Sequence, residues 1–175
     1  MPRVKVIEKT VWKFDELPDT IREKVLENYA DINVDHEWWD YVYEDAQRVG
    51  IKITEFDLGR AQKIKGRLEV SPLECIQRIK AEHGKNCETR KTAESFEQTF
   101  LDFKVAEDHD AEDTGASELF DQDAFEEAES EFLHAILEDY RVMLDKEYEY
   151  LTSEEAIAKT LRCNEYEFNE KGRID

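Results

Sequence analysis

Apolar side chains recur every three or four residues along one segment in the second half of the chain. At intervals of 3, 4, 4, 4 and 3 residues, this segment carries Phe125, Ala128, Phe132, Ile136, Tyr140 and Met143. The spacing puts all six on one face of an α-helix and argues against a strand, in which neighbouring side chains alternate between faces. We therefore predict a helix over residues 118–150, about 50 Å long at about 1.5 Å per residue.

Charge is divided unevenly along the chain, whose formal net charge is −20. Residues 92–175 hold 26 acidic and 7 basic residues, whereas residues 1–91 hold 18 and 17. Between residues 93 and 140 there are 17 acids and a single Lys or Arg, Lys104. A dense acidic surface attracts a basic partner and repels nucleic acid, or it simply remains solvated. The pattern favours a protein partner over direct binding of nucleic acid.

The chain has enough apolar residues to form a core in spite of this charge. Hydrophobic residues make up 40% of it and aromatic residues 11%, and disordered chains are poor in aromatic residues. We expect no membrane association, because no apolar run approaches 18 residues and the N-terminal segment lacks the apolar stretch of a signal peptide. The three cysteines, at positions 75, 87 and 163, form no CxxC pair, which favours a reducing cytoplasm.

Local patterns predict an α+β protein that is predominantly helical, with a small antiparallel sheet and a long acidic C-terminal helix. Strands are predicted over residues 3–14, 51–58, 64–70 and 164–172. Besides the long helix, helices are predicted over residues 19–29, from Asn33 or Asp35 to Val49, and over 72–83, 91–104 and 154–162. Ser71, Pro72 and Glu74 have the spacing of a capped helix start.

These elements predict a single domain with three parts. Residues 1–105 form a mixed α+β core, and residues 106–117 form an acidic loop. Residues 118–175 supply the long acidic helix, a short helix and a terminal strand that pack on the core. Within the first part, the aromatic string at 36–46 (HEWWDYVYEDA) is interpreted as core packing, with a peptide-binding surface as the alternative.

Acidic residues on the long helix are the candidate partner-binding site. Opposite or beside its apolar stripe lie Glu127, Glu131, Glu138, Asp145 and Glu149. The preceding acidic segment adds Asp108, Asp110, Glu112 and Asp113. Helical residues three or four positions apart are about 5–6 Å apart at Cβ, near the phosphate spacing along a nucleic-acid strand. The row therefore predicts a phosphate-like charge pattern, and a solvated helix face is the alternative interpretation.

The segment from residue 59 to residue 91 has the opposite balance, with nine basic and four acidic residues. One interpretation is a small face that binds nucleic acid or a partner protein. The other is that this segment docks against the acidic part, either within one chain or across a homodimer. The surrounding negative charge favours the second interpretation, because it would repel nucleic acid.

No catalytic or metal-binding motif is evident. The chain contains no GxSxG, HExxH, P-loop or GxGxxG pattern. Glu131 and His134 have the ExxH spacing of a di-metal site, but the second ExxH that such a site requires is missing. Cys75, His83 and Cys87 match no common zinc spacing. We therefore expect no catalytic residue, no metal and no other cofactor, and hence a protein that is not an enzyme.

Two strings resemble small proteins encoded by phages, prophages and bacterial mobile elements, some of them called antitoxin-like. They are LPDTIREKVLENYADINVDHEWWDYVYEDAQRVGIKITEFDLGR and YEYLTSEEAIAKTLRCNEYEFNEKG, at residues 17–60 and 148–172. The resemblance implies a protein of the bacterial host cytoplasm, and it carries no site residues.

In that setting, we expect a non-enzymatic inhibitor of a nucleic-acid-handling defence protein, such as a CRISPR effector or a restriction enzyme. It would occupy the basic nucleic-acid channel of its target by acidic mimicry, a step that rests on analogy. The alternative is an antitoxin-like or regulatory protein that uses the basic 60–91 segment to bind nucleic acid or a partner protein.

Overall fold

The structure is a computed structural model that describes residues 8–112 and 120–175, except for the side chains of residues 109–112. These residues form six α-helices and two small antiparallel sheets of two strands each. The chain is therefore a predominantly helical α+β protein with a long C-terminal helix, which confirms the predicted fold class. None of the helices in the described ranges has the length and apolar character needed to cross a membrane.

Two compact units make up the chain, and their bounds do not coincide with the predicted three parts. The first unit comprises Met1–Trp38 and Lys146–Asp175, and the second comprises Trp39–Asp145. In the first unit lie β1 (Trp12–Lys13), a short 3₁₀ helix (Phe14–Glu16), α1 (Asp19–Asn28), α6 (Glu154–Cys163) and β4 (Glu167–Phe168). The second unit contains α2 (Asp40–Arg48), β2 (Ile51–Asp57), β3 (Lys63–Leu68), α3 (Pro72–Glu82) and α4 (Glu88–Glu112). The long helix α5 (Gln122–Leu151) lies mostly in the second unit, and its last six residues belong to the first.

The core of the first unit forms around the pair of strands β1 and β4, in which Trp12 lies opposite Phe168. Its fully or almost fully buried side chains include Phe14, Leu17, Val25, Ile157, Leu161 and Phe168. Helix α6 starts as predicted, because Ser153 accepts a hydrogen bond from the backbone N–H of Ala156 at 3.2 Å. The first predicted strand is much shorter than expected. Residues 8–11 are irregular, residues 3–7 lie outside the described ranges, and the 3₁₀ helix follows β1 directly.

Helix α2 starts later than predicted, because the expected capping residues serve other purposes. Asn33 is buried, and its side chain donates to the backbone carbonyl of Leu151 at 2.9 Å and accepts from the Thr160 hydroxyl at 2.6 Å. The C-terminal end agrees with the sequence, since Gly50 follows the last turn at φ +91°, a backbone conformation that favours glycine. An added Cβ there would also lie 2.3 Å from Val70 Cγ2.

The hairpin of β2 and β3 packs on helix α5 within the second unit. Ile51 pairs with Leu68 and Phe56 with Ile64, and the register shifts between Ile53 and Glu55. A Cβ at Gly66 would lie 2.9 Å from Leu137 Cδ2, so glycine permits the close approach of the α5 side chain. The aromatic string is used for packing: Trp39 and Tyr43 contact Phe56, with ring centroids 5.5 and 6.2 Å apart.

Helix α4 extends beyond its predicted end at residue 104 and replaces the first half of the predicted acidic loop. Residues 107–112 contain no large apolar side chain, so their pattern gave no sign of a helix. Once a packed helix has formed, however, each further residue adds one hydrogen bond at a low entropic cost. The second half of that predicted loop, residues 113–117, lies outside the described ranges.

Candidate functional site

Helices α4 and α5 form an antiparallel hairpin that is held together by phenylalanine side chains. The ring centroids of Phe96 and Phe132 are 5.5 Å apart, and those of Phe103 and Phe125 are 5.4 Å apart. A hydrogen bond also joins the two helices, in which the hydroxyl of Thr92 donates to Asp139 at 2.6 Å. The apolar faces of the two helices are thus turned toward each other, and their polar faces are left to solvent.

Three of the five acids predicted on α5 are exposed. Glu127 and Glu131 are exposed within the second unit, and Glu149 is exposed on the last part of α5, which belongs to the first unit. Asp145 is half-buried. Glu138 accepts hydrogen bonds from the guanidinium of Arg141, the shortest at 2.6 Å, and this contact lowers the pKa of its carboxyl. The row is therefore less uniform than its spacing predicts, because Arg141 offsets the charge of Glu138.

The predicted acidic segment is only partly described. Asp108 is exposed on α4. Asp110 and Glu112 lie on the same helix, but their side chains fall outside the described part of the structure, as does Asp113 altogether. The prediction that these residues contribute to the site thus rests on Asp108 among the described side chains.

A broader set of acids surrounds the outer part of the hairpin. Its described and exposed members are Asp102, Glu107, Asp108, Asp121, Asp123, Glu126, Glu127 and Glu131. Between residues 102 and 131, Lys104 is the one Lys or Arg among the described residues. The sequence analysis missed Glu107, Asp121, Asp123 and Glu126 as site residues. The number of acids in this part of the sequence was the one indication of them. The hairpin that brings the acids of α4 close to those of α5 depends on long-range phenylalanine contacts, which the sequence does not show.

Most basic side chains of the 59–91 segment are paired with carboxylates. Seven of its nine basic side chains form ion pairs with described carboxylates: Lys63, Lys65, Arg67, Arg78, Lys80, Arg90 and Lys91. One of these pairs joins α3 to α4, since Lys80 lies 2.7 Å from Glu97. Another, in which Arg90 lies 2.8 Å from Glu94, connects successive turns of α4. The Lys80–Glu97 pair is a contact of the kind expected if this segment docks against the acidic part within one chain, and that docking stays a prediction.

A second cluster of polar side chains, which the sequence analysis did not bring together, lies between α2, α3 and α4. Nε2 of His83 lies 3.0 Å from Oδ2 of Asp45, and Nδ1 of the same ring lies 2.6 Å from the Thr89 hydroxyl. The sulfur of Cys87 lies 3.0 Å from that hydroxyl and 3.9 Å from Nδ1. Asp45 also accepts from the Tyr140 hydroxyl at 2.9 Å.

Asp45 is the ionised centre of this cluster. Contact with His83 is the largest of the effects that hold the pKa of its carboxyl at about 2, and Arg48 and Tyr140 act in the same direction. Burial opposes them. The pKa of the Tyr140 hydroxyl is raised, first by burial and then by the charge of Asp45. A negative charge thus persists beside His83 over the whole neutral range.

The described side chains do not form a metal site. Across residues 8–108 and 120–175, no group of three or more His, Cys, Asp or Glu side chains is arranged to hold a metal ion. The ExxH pair on α5 has its histidine exposed and its glutamate in the solvent-facing row.

Comparison with family models, with curated proteins and with solved structures finds no match to this chain.

Proposed function

We propose that this protein is a non-enzymatic inhibitor that binds the basic, nucleic-acid-binding surface of another protein through the acidic hairpin of α4 and α5. The observation that carries the proposal is the set of eight exposed carboxylates on the outer part of the hairpin, accompanied by Lys104 as the one Lys or Arg in the described part of that stretch. Such a surface attracts a groove lined with Lys and Arg, and it speeds the encounter with it.

The class of target follows from the spacing of the charges. On α5, Glu127 and Glu131 are four residues apart and about 5–6 Å apart at Cβ, which is near the phosphate spacing of a nucleic-acid strand. Because the carboxylates are carried by packed helices, little backbone ordering remains for the binding step, and the cost of ordering falls on the side chains. We infer a nucleic-acid-handling defence protein, such as a CRISPR effector or a restriction enzyme, as the target in a bacterial host cell.

The alternative function, binding of nucleic acid by the basic 60–91 segment, has weaker support. Seven of the nine basic side chains are in ion pairs, so carboxylates already offset much of their charge. We expect no binding of DNA or RNA at about 0.15 M salt, because the acidic residues of the chain repel phosphates. At this salt concentration, charges within about 8 Å of each other still interact. Fluorescence anisotropy with labelled single-stranded and double-stranded oligonucleotides checks this, and sub-micromolar affinity would favour the alternative.

The proposal is tested by neutralising the hairpin without changing its shape. The hairpin variant replaces five exposed acids by their amides: Glu107, Asp108, Glu126, Glu127 and Glu131. The matched control replaces five exposed acids of the first unit in the same way: Glu23, Glu27, Asp31, Glu37 and Glu170. Both variants carry the same net charge and should remain folded, because removal of like charges does not destabilise a helix.

The measurement is inhibition of DNA cleavage by a panel of purified restriction enzymes and CRISPR effectors. For a target that the wild-type protein inhibits, we expect the hairpin variant to bind roughly 10–100-fold more weakly, since each exposed charge pair contributes about 0.2–1 kcal/mol. The control should lose much less affinity. Equal losses in both variants would mean that only net charge matters, and an unchanged hairpin variant would exclude this surface from the interface.

A further inference from the structure

Cys87 lies at the start of helix α4. Its backbone N–H donates to the carbonyl of Gly84 at 3.0 Å and closes the turn between α3 and α4. Its own carbonyl accepts from the N–H of Lys91 at 3.2 Å, which is the first hydrogen bond of α4. The N-terminus of a helix carries partial positive charge and stabilises an adjacent anion, including a thiolate.

The polar groups beside Cys87 form a path for its proton. The Thr89 hydroxyl, which is buried, lies within hydrogen-bond distance of both the Cys87 sulfur and Nδ1 of His83. With the His83 proton on Nε2, the Thr89 hydroxyl donates to Nδ1 and the Cys87 thiol donates to the Thr89 oxygen. Acceptance at Nδ1 requires the tautomer with its proton on Nε2, which we assign from these contacts.

The charge of Asp45 favours the same tautomer. Its Oδ2 is 3.0 Å from Nε2 of His83, although this contact is not aligned as a hydrogen bond, and Nε2 has no other partner in the described part of the structure. The imidazole side chain is only 8% exposed, and Asp45 is the carboxylate that faces it. Nucleophile, base and orienting carboxylate thus occur in the order expected of an activated thiol.

The cluster borders a cavity of about 380 Å³ at the surface of the second unit. It is lined by Tyr41, Glu44, Asp45, Arg48, His83, Cys87 and Met143. This volume lies within the range of small-molecule sites. The lining holds the carboxylates of Asp45 and of the exposed Glu44 but only one guanidinium, that of Arg48, which lies 2.7 Å from Asp45. This excess of carboxylates over guanidinium groups favours a cationic ligand over an anionic one.

We propose that Cys87 is a modification site that reacts with small amine-bearing disulfides, with His83 as the base acting through Thr89. The Cys87 sulfur attacks one sulfur of the disulfide, a new S–S bond forms, and the original S–S bond breaks. The thiol proton passes through Thr89 to His83 and then to the departing thiolate. The products are a mixed disulfide on Cys87 and one free aminothiol, so atoms and electrons balance without a further oxidant.

The other two cysteines provide internal references. Cys75 is fully buried, and burial raises the pKa of its thiol to about 12, so it should not react. Cys163 is exposed at the end of α6. If exposure alone governed reactivity, Cys163 would react faster than the partly buried Cys87. The proposal predicts the reverse order.

The experiment follows the mass gain of the full chain on incubation with cystamine, a diamine disulfide. The rate at Cys87 is measured in the Cys163→Ser variant, and the rate at Cys163 is measured in the Cys87→Ser variant. We expect Cys87 to react at least about tenfold faster, which is below the typical contribution of a general base, about 10²–10⁴-fold. An equal or slower rate at Cys87 overturns the proposal.

Two substitutions in the Cys163→Ser background separate the proton path from a structural role of Thr89. Thr89→Val keeps the volume and removes the hydroxyl, and it should lower the rate at Cys87 about tenfold or more if general-base assistance is lost. Thr89→Ser should retain most of the rate. Equal rates in these two variants overturn the proton path, and thermal melting checks that both are folded.

The charge of the substrate is tested with 2-hydroxyethyl disulfide, which is neutral. For each cysteine, the rate with cystamine is divided by the rate with the neutral disulfide. We expect a larger ratio at Cys87 than at Cys163, because Glu44 lines the cavity. A ratio at Cys87 that does not exceed the ratio at Cys163 overturns the assignment of an amine-bearing substrate.

Discussion

Replacing Phe132 by alanine should lower the free energy of unfolding by about 3–5 kcal/mol, the usual cost of truncating a fully buried phenylalanine. Phe132 is 0% exposed, and its ring lies 5.5 Å from Phe96 and 5.6 Å from Phe100, measured between centroids. The truncation leaves a cavity between α4 and α5 that the surrounding helices fill only in part. Urea unfolding followed by circular dichroism measures the loss.

The neighbouring Glu131 provides the control for this prediction. Its side chain is exposed, so Glu131→Ala should change stability by no more than about 0.5 kcal/mol. Hydrogen exchange at the amides of α4 should accelerate in the Phe132 variant and not in the control. Similar losses in both variants would show that the phenylalanine contacts do not hold the hairpin together.

Replacing Asp45 by alanine should cost about 2–4 kcal/mol at neutral pH, because it removes a charged acceptor from buried partners. The hydroxyl of Tyr140, a residue that is 0% exposed, would lose its 2.9 Å acceptor, and His83 would lose its adjacent carboxylate. Asp45→Asn should cost less, since its amide carbonyl still accepts from Tyr140. Glu44→Ala, an exposed acid on the same helix, is the matched control and should change stability by no more than about 0.5 kcal/mol.

The ionisation of Asp45 also predicts how stability depends on pH. Its pKa is about 2 in the folded chain and 3.8 when unperturbed. A depressed pKa contributes stability that is fully present above pH 4 and is lost as the pH falls toward 2. The difference corresponds to about 2 kcal/mol at about 1.4 kcal/mol per pKa unit. Urea titrations between pH 2 and 6 should show this loss in the wild-type chain and a smaller one in Asp45→Asn; equal losses would contradict the assignment.

Short-range patterns determined most of the helices and strands. The cap of α3 is present as predicted, because Ser71 accepts from the N–H of Glu74 at 3.3 Å. The stop of α2 at Gly50 and the apolar stripe of α5 were likewise evident from the sequence. Each of these depends on residues within a few positions of one another along a helix, where backbone geometry alone decides which side chains meet.

The uneven distribution of charge is also a property of the sequence, but its arrangement at the site is not. The spacing of the acids predicted that Glu138 lies on the solvent-facing side of α5. It did not predict the ion pair that Glu138 forms with Arg141. The extension of α4 to Glu112 had no apolar signal, so it too was missed. Which carboxylates remain free depends on ion pairs such as Lys80 with Glu97, which form only after the helices have packed.

The cluster around Cys87 was decided by the tertiary structure alone. Asp45 and Cys87 are 42 positions apart in the chain. Neither residue belongs to a motif. In a chain with 44 acidic residues, the presence of a cysteine, a histidine and an acid in the sequence does not indicate that the three meet in a site. Their meeting requires the turn between α3 and α4 to dock beside α2. Val42 of α2 and Cys75 and Ile79 of α3 are fully buried, and the sequence shows their apolar character but not which residues they meet.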